Sequence, residues 1–198
     1  MQQITSRQLY AYWDRVRNGR NAPRRFEIEP GHIAPLLPET FIAESTGLPG
    51  CRFRLVGTKI CQQFGKELRG TDLLSLFGPE DRDALASLLR TVFSEAAVGE
   101  VRFNAHTKTN RQVTFELVLM PLIHTGNIIN RVLGAIAAFE SPFWLGATPL
   151  YRQEIVELNL HWPDGAQAWA ERAHEPAPST AEIVRIARRR FRVYEGGR

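Results

Sequence analysis

Arg52 and Arg54 stand two residues apart in Cys51-Arg52-Phe53-Arg54-Leu55, where apolar and charged residues alternate. On an extended chain that alternation puts both guanidinium groups on one face. Forked cations at this spacing suit phosphate or carboxylate. They equally suit a solvated face, or an ion pair with Glu44 or Glu116. Cys51 and Cys61 are too few for a disulfide framework and lack a second pair at metal-ligand spacing, so they read as small core hydrophobes. His32, His106, His124, His161 and His174 are scattered, with no pair at i,i+3 or i,i+4, and no metal site is expected. There is no phosphate loop, no Gly-x-Ser-x-Gly elbow, no His-Glu-x-x-His and no kinase or cyclase signature. The chain reads as non-enzymatic.

Charge is divided along the 198 residues, whose formal net charge is +4. Residues 1–25 carry +5 and residues 179–198 carry +4, so the body between them carries −5. A domain-wide basic face for nucleic acid is not supported. The basic arms, with Arg185, Arg188 and Arg189 in the second, remain open to an acidic partner, a nucleic acid or an anionic surface. The longest apolar run, residues 132–139, is far short of a membrane span. The polar start of the chain has no secretory apolar segment, and a cytoplasmic protein is expected.

Positioning these residues requires several elements. Leu9, Tyr12, Trp13 and Val16 recur at helical spacing and predict an amphipathic helix within residues 1–22. Its apolar side either covers a sheet or pairs with a second copy, and a homodimer through this helix is expected. Prolines between residues 23 and 38 forbid a long regular element. Residues 41–43 and 51–56 form a hairpin with a turn at 48–50, in which Cys51, Phe53 and Leu55 share the inner face. Thr58 caps a short helix ended by Gly65, and a second short helix covers residues 72–77. Residues 79–97 make the clearest helix, with an apolar stripe through Leu85, Leu88, Leu89, Val92 and Phe93, closed by Gly99. Strands follow near 101–106, 113–120 and 132–139, and Pro142 and Pro149 end the sheet.

Beyond residue 150, Tyr151, Ile155, Leu158 and Trp162 fit a helix, while Val156, Leu158, Leu160 and Trp162 fit a strand. The sequence does not decide between them. Residues 163–180 read as a linker. Ser179-Thr180-Ala181-Glu182 fits a capping box opening a last helix, with Ile183, Ala187 and Phe191 on one side. The division is therefore an N-terminal helix (1–22), a main domain (23–145), an extension and linker (146–178) and a basic C-terminal helix (179–198). The fold class is α+β: a five-stranded antiparallel sheet, helices on one face and the N-terminal helix on the other. Phe53, Phe64, Phe93, Phe115 and Ile136 should converge between helices and sheet, as candidates for an apolar pocket.

The element order, together with Arg52-Phe-Arg-Leu-Val-Gly57-Thr58, Cys61-Gln-Gln-Phe64-Gly65-Lys-Glu-Leu68-Arg69-Gly70 and Asp81-Arg82, resembles the stand-alone PAS-like proteins of alphaproteobacteria. Pro30 and Leu36-Leu37-Pro38 match their lead-in, and the resemblance covers about residues 20–145. It implies a sensory or protein-interaction module in bacterial signal transduction, acting on a regulatory protein partner and open to gating by a small ligand of unknown identity. A nucleic-acid- or nucleotide-responsive regulator using the arginine-rich ends is the alternative. No cofactor is expected. The flavin-adduct cysteine of light-sensing PAS domains lies in an Asn-Cys-Arg-Phe-Leu-Gln string within the helical segment, whereas Cys51 follows Gly50 on a strand. Haem-binding relatives supply a histidine from the long helix, and residues 79–97 contain none.

Overall fold

The computed structural model describes residues 1–47, 50–163 and 191–195. Helix α1, Ile4–Arg17, opens the chain and ends at Asn18 in the left-handed conformation. The proline-rich stretch resolves into short 3₁₀ turns, Arg25–Glu27 and Pro30–Glu39, the second broken at Ile33. Strands β1, Thr40–Ser45, and β2, Cys51–Val56, make the hairpin. Helix α2, Thr58–Phe64, is followed by a 3₁₀ turn at Leu73–Leu76 and by helix α3, Pro79–Glu95. Strands β3, Val98–His106, β4, Gln112–Thr125, and β5, Ile128–Ala138, form a meander.

The sheet order is β2-β1-β5-β4-β3, continued by β6, Arg152–Trp162, and β7, Phe191–Glu195. The α+β plan holds, with helices on one face and α1 on the other. The strand count is larger than the five expected, and the sheet does not end at Pro142 and Pro149. Strand β6 runs antiparallel along all of β3, from Val98 opposite His161 to His106 opposite Arg152. Burial decides the ambiguity beyond residue 150, because Ile155, Leu158 and Leu160 complete the core beside β3. Residues 191–195 pair in parallel with β6 and do not continue a helix, which corrects the expected C-terminal element there. The rest of that element, the linker beyond residue 163 and the turn at residues 48–49 lie outside the described residues.

Two apolar clusters sandwich the sheet. One joins α2, α3 and the inner sheet face through Phe41, Phe53, Ile60, Leu85, Leu89, Phe103 and Phe115. The other places Leu9, Tyr12 and Trp13 of α1 against Ile42, Val118, Met120 and Leu133 on the outer face. Each large side chain removed from water in this way contributes about 1.5–3 kcal/mol. Helix α1 thus uses its apolar stripe on its own sheet.

Local details depart from expectation. Gly57 occupies the N-cap of α2, so Thr58 is already helical. Helix α3 closes at Ala96, which takes a positive φ of 56°, and Gly99 lies inside β3. There a Cβ would come within 2.5 Å of Leu88 Cδ2, so Gly99 serves close helix–sheet packing. Leu55 is half exposed instead of buried. The β1–β2 register shifts between Ile42, opposite Leu55, and Ala43, opposite Phe53. Arg54 is the extra residue, and the bulge turns Leu55 outward with it.

Candidate contact site on the outer sheet face

The bulge sets the geometry of the first candidate residues. Cys51 and Phe53 point into the core, while Arg52 and Arg54 are exposed on the outer face. Glu44 on β1 faces the same way. Arg54 donates to it in a forked arrangement, Nε to Oε2 at 3.2 Å and Nη2 to Oε1 at 2.9 Å. Arg131 on β5 donates from the other flank, Nη2 to Oε2 at 2.8 Å. The Arg54 hydrogen bonds hold the Glu44 carboxyl below its ordinary pKa, against the opposing effect of burial, and the Arg131 charge adds to this. One carboxylate therefore serves two cations. The ion pair with Glu44 anticipated for this face is present. Arg52 makes no side-chain hydrogen bond or ion pair among the described residues.

The outer margin of β2 is closed. Phe53 N–H donates to Thr71 O at 2.9 Å, and Gly70 N–H donates to Phe53 O at 2.8 Å. Asp72 caps the following 3₁₀ turn by accepting from Leu74 N–H. The backbone of β2 is thus paired on this side, and its side chains are what it presents outward.

Of the apolar candidates, Phe53, Phe64, Phe115 and Ile136 are buried in the inner cluster. Phe93 on α3 is only half-buried and packs against the cluster's margin. The rings form a connected array. Phe103 stacks on Phe115 at 5.3 Å, Phe77 meets Phe103 edge-on at 5.2 Å, and Phe64 lies 5.7 Å from Phe115. Phe53 meets Phe41 instead, at 5.1 Å. Sequence reading missed Gln63, which is buried beside them with its Oε1 unpartnered among the described residues. Its spacing of three from Ile60, on the apolar side of a short helix, was the available signal. Cys51 is fully buried, and burial followed by the Asp72 charge pushes its thiol up to about 12. Cys61 sits 3.5 Å from Glu67 Oε1. Among the described residues no three His, Cys, Asp or Glu side chains gather as metal ligands. Arg185, Arg188 and Arg189 lie outside the described residues.

A second polar cluster, on the same outer face, was not foreseen. Glu100 on β3 accepts from the Met1 ammonium at 2.7 Å and lies 3.0 Å from His161 Nε2 on β6. Glu116 on β4 accepts from the backbone N–H groups of Gln2 and Gln3. Burial pushes the Glu100 carboxyl up, but the His161 hydrogen bond and the ammonium outweigh it and hold it at about 2. This arrangement ties the start of α1 to three strands.

Among the described residues, no helix is long and apolar enough to cross a membrane. No curated protein matches the chain in sequence. Solved structures resemble it at low identity. The light-state structure of the blue-light photoreceptor Aureochrome1 LOV shares 12% identity, spanning 53% of this chain and 84% of that one, with a TM-score of 0.42. A PAS domain of a Colwellia psychrerythraea protein shares 15%, spanning 54% and 92%, with a TM-score of 0.40. A light-oxygen-voltage domain carrying a flavin analogue shares 16%, spanning 59% and 87%, with a TM-score of 0.44. A family profile described as PAS domain, PAS_5, matches residues 1–137, which include α1, both hairpin strands, α2, α3 and nearly all of the meander, and on that match the chain belongs to the PAS_5 family of PAS domains, a sensor and signalling fold.

Proposed function

We propose that this chain is a non-catalytic regulatory module of bacterial signal transduction that docks an acidic surface of a regulatory protein partner through the outer face of β2. The observation that supports this is the Arg52 guanidinium, exposed and unpaired among the described residues, beside Arg54. Arg54 is held in a fixed orientation by Glu44. With the Arg54 fork engaged by Glu44, the Arg52 guanidinium is the fork left to take a partner carboxylate. A small ligand acting between helices and sheet would have to open the Phe64–Phe115–Phe103 contacts.

The test is cross-linking and affinity capture of partners from the native cells, comparing the wild-type chain with Arg52→Glu. The Arg52 side chain makes no hydrogen bond or ion pair among the described residues, and because its cross-strand neighbour is Glu44, circular dichroism establishes that the variant is folded before partners are compared. Specific partners should be lost with Arg52→Glu and weakened by salt. An unchanged set of partners in both would reject this face.

The proposal includes a homodimer through α1. With the apolar stripe committed to the sheet, the surface left for a second copy is the outward row Ile4, Arg7, Ala11 and Arg15. Ala11→Glu should convert dimer to monomer in light scattering, whereas an unaltered mass would exclude this row.

A further inference from the structure

An apolar groove lies on the outer face where the proline-rich turns cross the hairpin. Ile28, Ile33, Leu37, Ile42, Leu55 and Leu133 line it, with Arg25 among them, around a volume of about 390 Å³. That size is within the range of small-molecule sites, which are mostly apolar with a few placed polar groups. Leu37 is 38% exposed and Leu55 50% exposed, so apolar surface stands open to water. Thr40 and the Gly57 backbone in the walls are already engaged. Thr40 Oγ1 donates to Leu36 O at 2.8 Å, and Gly57 N–H donates to Thr40 O at 2.8 Å.

Arg25 is the exception. No acceptor among the described residues takes a hydrogen bond from its guanidinium. Burial and the like charge of Arg131 lower its pKa from the ordinary value. Arg131 itself spends one nitrogen on Glu44, which Arg54 also uses, and its buried Nε has no partner. Two arginines therefore share the Glu44 carboxylate, and Arg25, near Arg131, has no share in it. A half-buried cation facing another cation lacks an anion, and an apolar cleft beside it lacks a hydrocarbon. One molecule with both parts satisfies both.

We propose that the groove binds an amphipathic carboxylate of small-molecule size, its hydrocarbon on Ile33, Leu37, Leu55 and Leu133 and its carboxylate on Arg25. This site is separate from the partner-docking reading, which rests on Arg52 and Arg54, neither of which lines the groove, so either can fail alone.

Decanoate is the probe, titrated into the full chain by calorimetry below its micelle concentration, with decanol and acetate as controls. Decanoate should bind saturably, decanol more weakly and acetate not measurably. Arg25→Gln should weaken decanoate about tenfold or more while leaving decanol unchanged. Leu37→Glu should weaken both. Circular dichroism and thermal melts establish that the two variants are folded, and Arg25 and Leu37 are both partly exposed. Absence of saturable decanoate binding would overturn the proposal, as would decanoate binding that Arg25→Gln leaves intact. Self-association abolished by Leu37→Glu, without decanoate binding, would also overturn it and assign the groove to a second copy of the chain.

Discussion

The indole Nε1 of Trp13 donates to the carbonyl oxygen of Pro121 at 2.9 Å, joining α1 to β4 across 108 positions of sequence. Pro121 sits in β4 beyond the ladder with β3, which reaches only Leu119. Its carbonyl is met by a helix instead of a strand. Trp13 is fully buried, so Trp13→Phe removes the donor and leaves the Pro121 carbonyl unsatisfied. The expected loss is about 2 kcal/mol, read as a lower denaturant midpoint with an unchanged slope.

Asp81, in the first turn of α3, accepts from the Ile155 backbone N–H at 3.1 Å in a buried position. The contact stands beside a bulge, because Arg102 pairs with Glu157 and Phe103 with Ile155, leaving Val156 over. It joins the long helix to β6, a strand outside the span matched by the family. Asp81→Ala should cost about 1–3 kcal/mol. Hydrogen exchange should accelerate at Ile155 and its β6 neighbours before it does in β4, and uniform acceleration across the sheet would contradict the assigned role.

Glu100 makes stability depend on acid. Its pKa is held at about 2 against an ordinary 4.5, so the folded state favours the charged form. That contribution is complete above the ordinary value and is lost as pH falls from there towards 2. Denaturation followed between pH 5 and 2 should show declining stability, and Glu100→Gln should flatten the decline while lowering stability at neutral pH. A decline of the same slope in the variant would assign it to other carboxylates.

Gly57 leads from β2 into α2 with no space for a side chain. A Cβ there would lie 2.3 Å from the backbone oxygens of both Leu37 and Pro38. Neither atom is the flexible end of a side chain, so the turn carrying them must move. Gly57→Ala should destabilise by about 3 kcal/mol, at the upper end of overpacking. It should also reshape the neighbouring groove, detectable as weakened decanoate binding.

Much of this architecture was legible in the chain. The stripe through Leu85, Leu88, Leu89 and Val92 specified α3, and alternation specified β3 and β4, because local periodicity is set by which face must leave water. The inner positions of Phe53, Phe64, Phe115 and Ile136 followed from the same patterns, and the ion pair of Arg54 with Glu44 was among the pairings the hairpin allowed. Other features depend on distant partners. Residues 152–162 carry two periodicities at once, and only the open side of β3 selects the strand. Leu55 faces outward because one extra residue bulges against β1, which alternation within β2 cannot register. Phe191 lies in a parallel strand since β6 is there to pair with it. Arg25, Gln63 and Glu100 look ordinary in sequence, and Asp81 stands out only within the Asp81-Arg82 pair of the family-like pattern, not as a partner of β6. Their roles arise from what burial brings within a few ångströms of them, and that distance is a property of the tertiary fold alone.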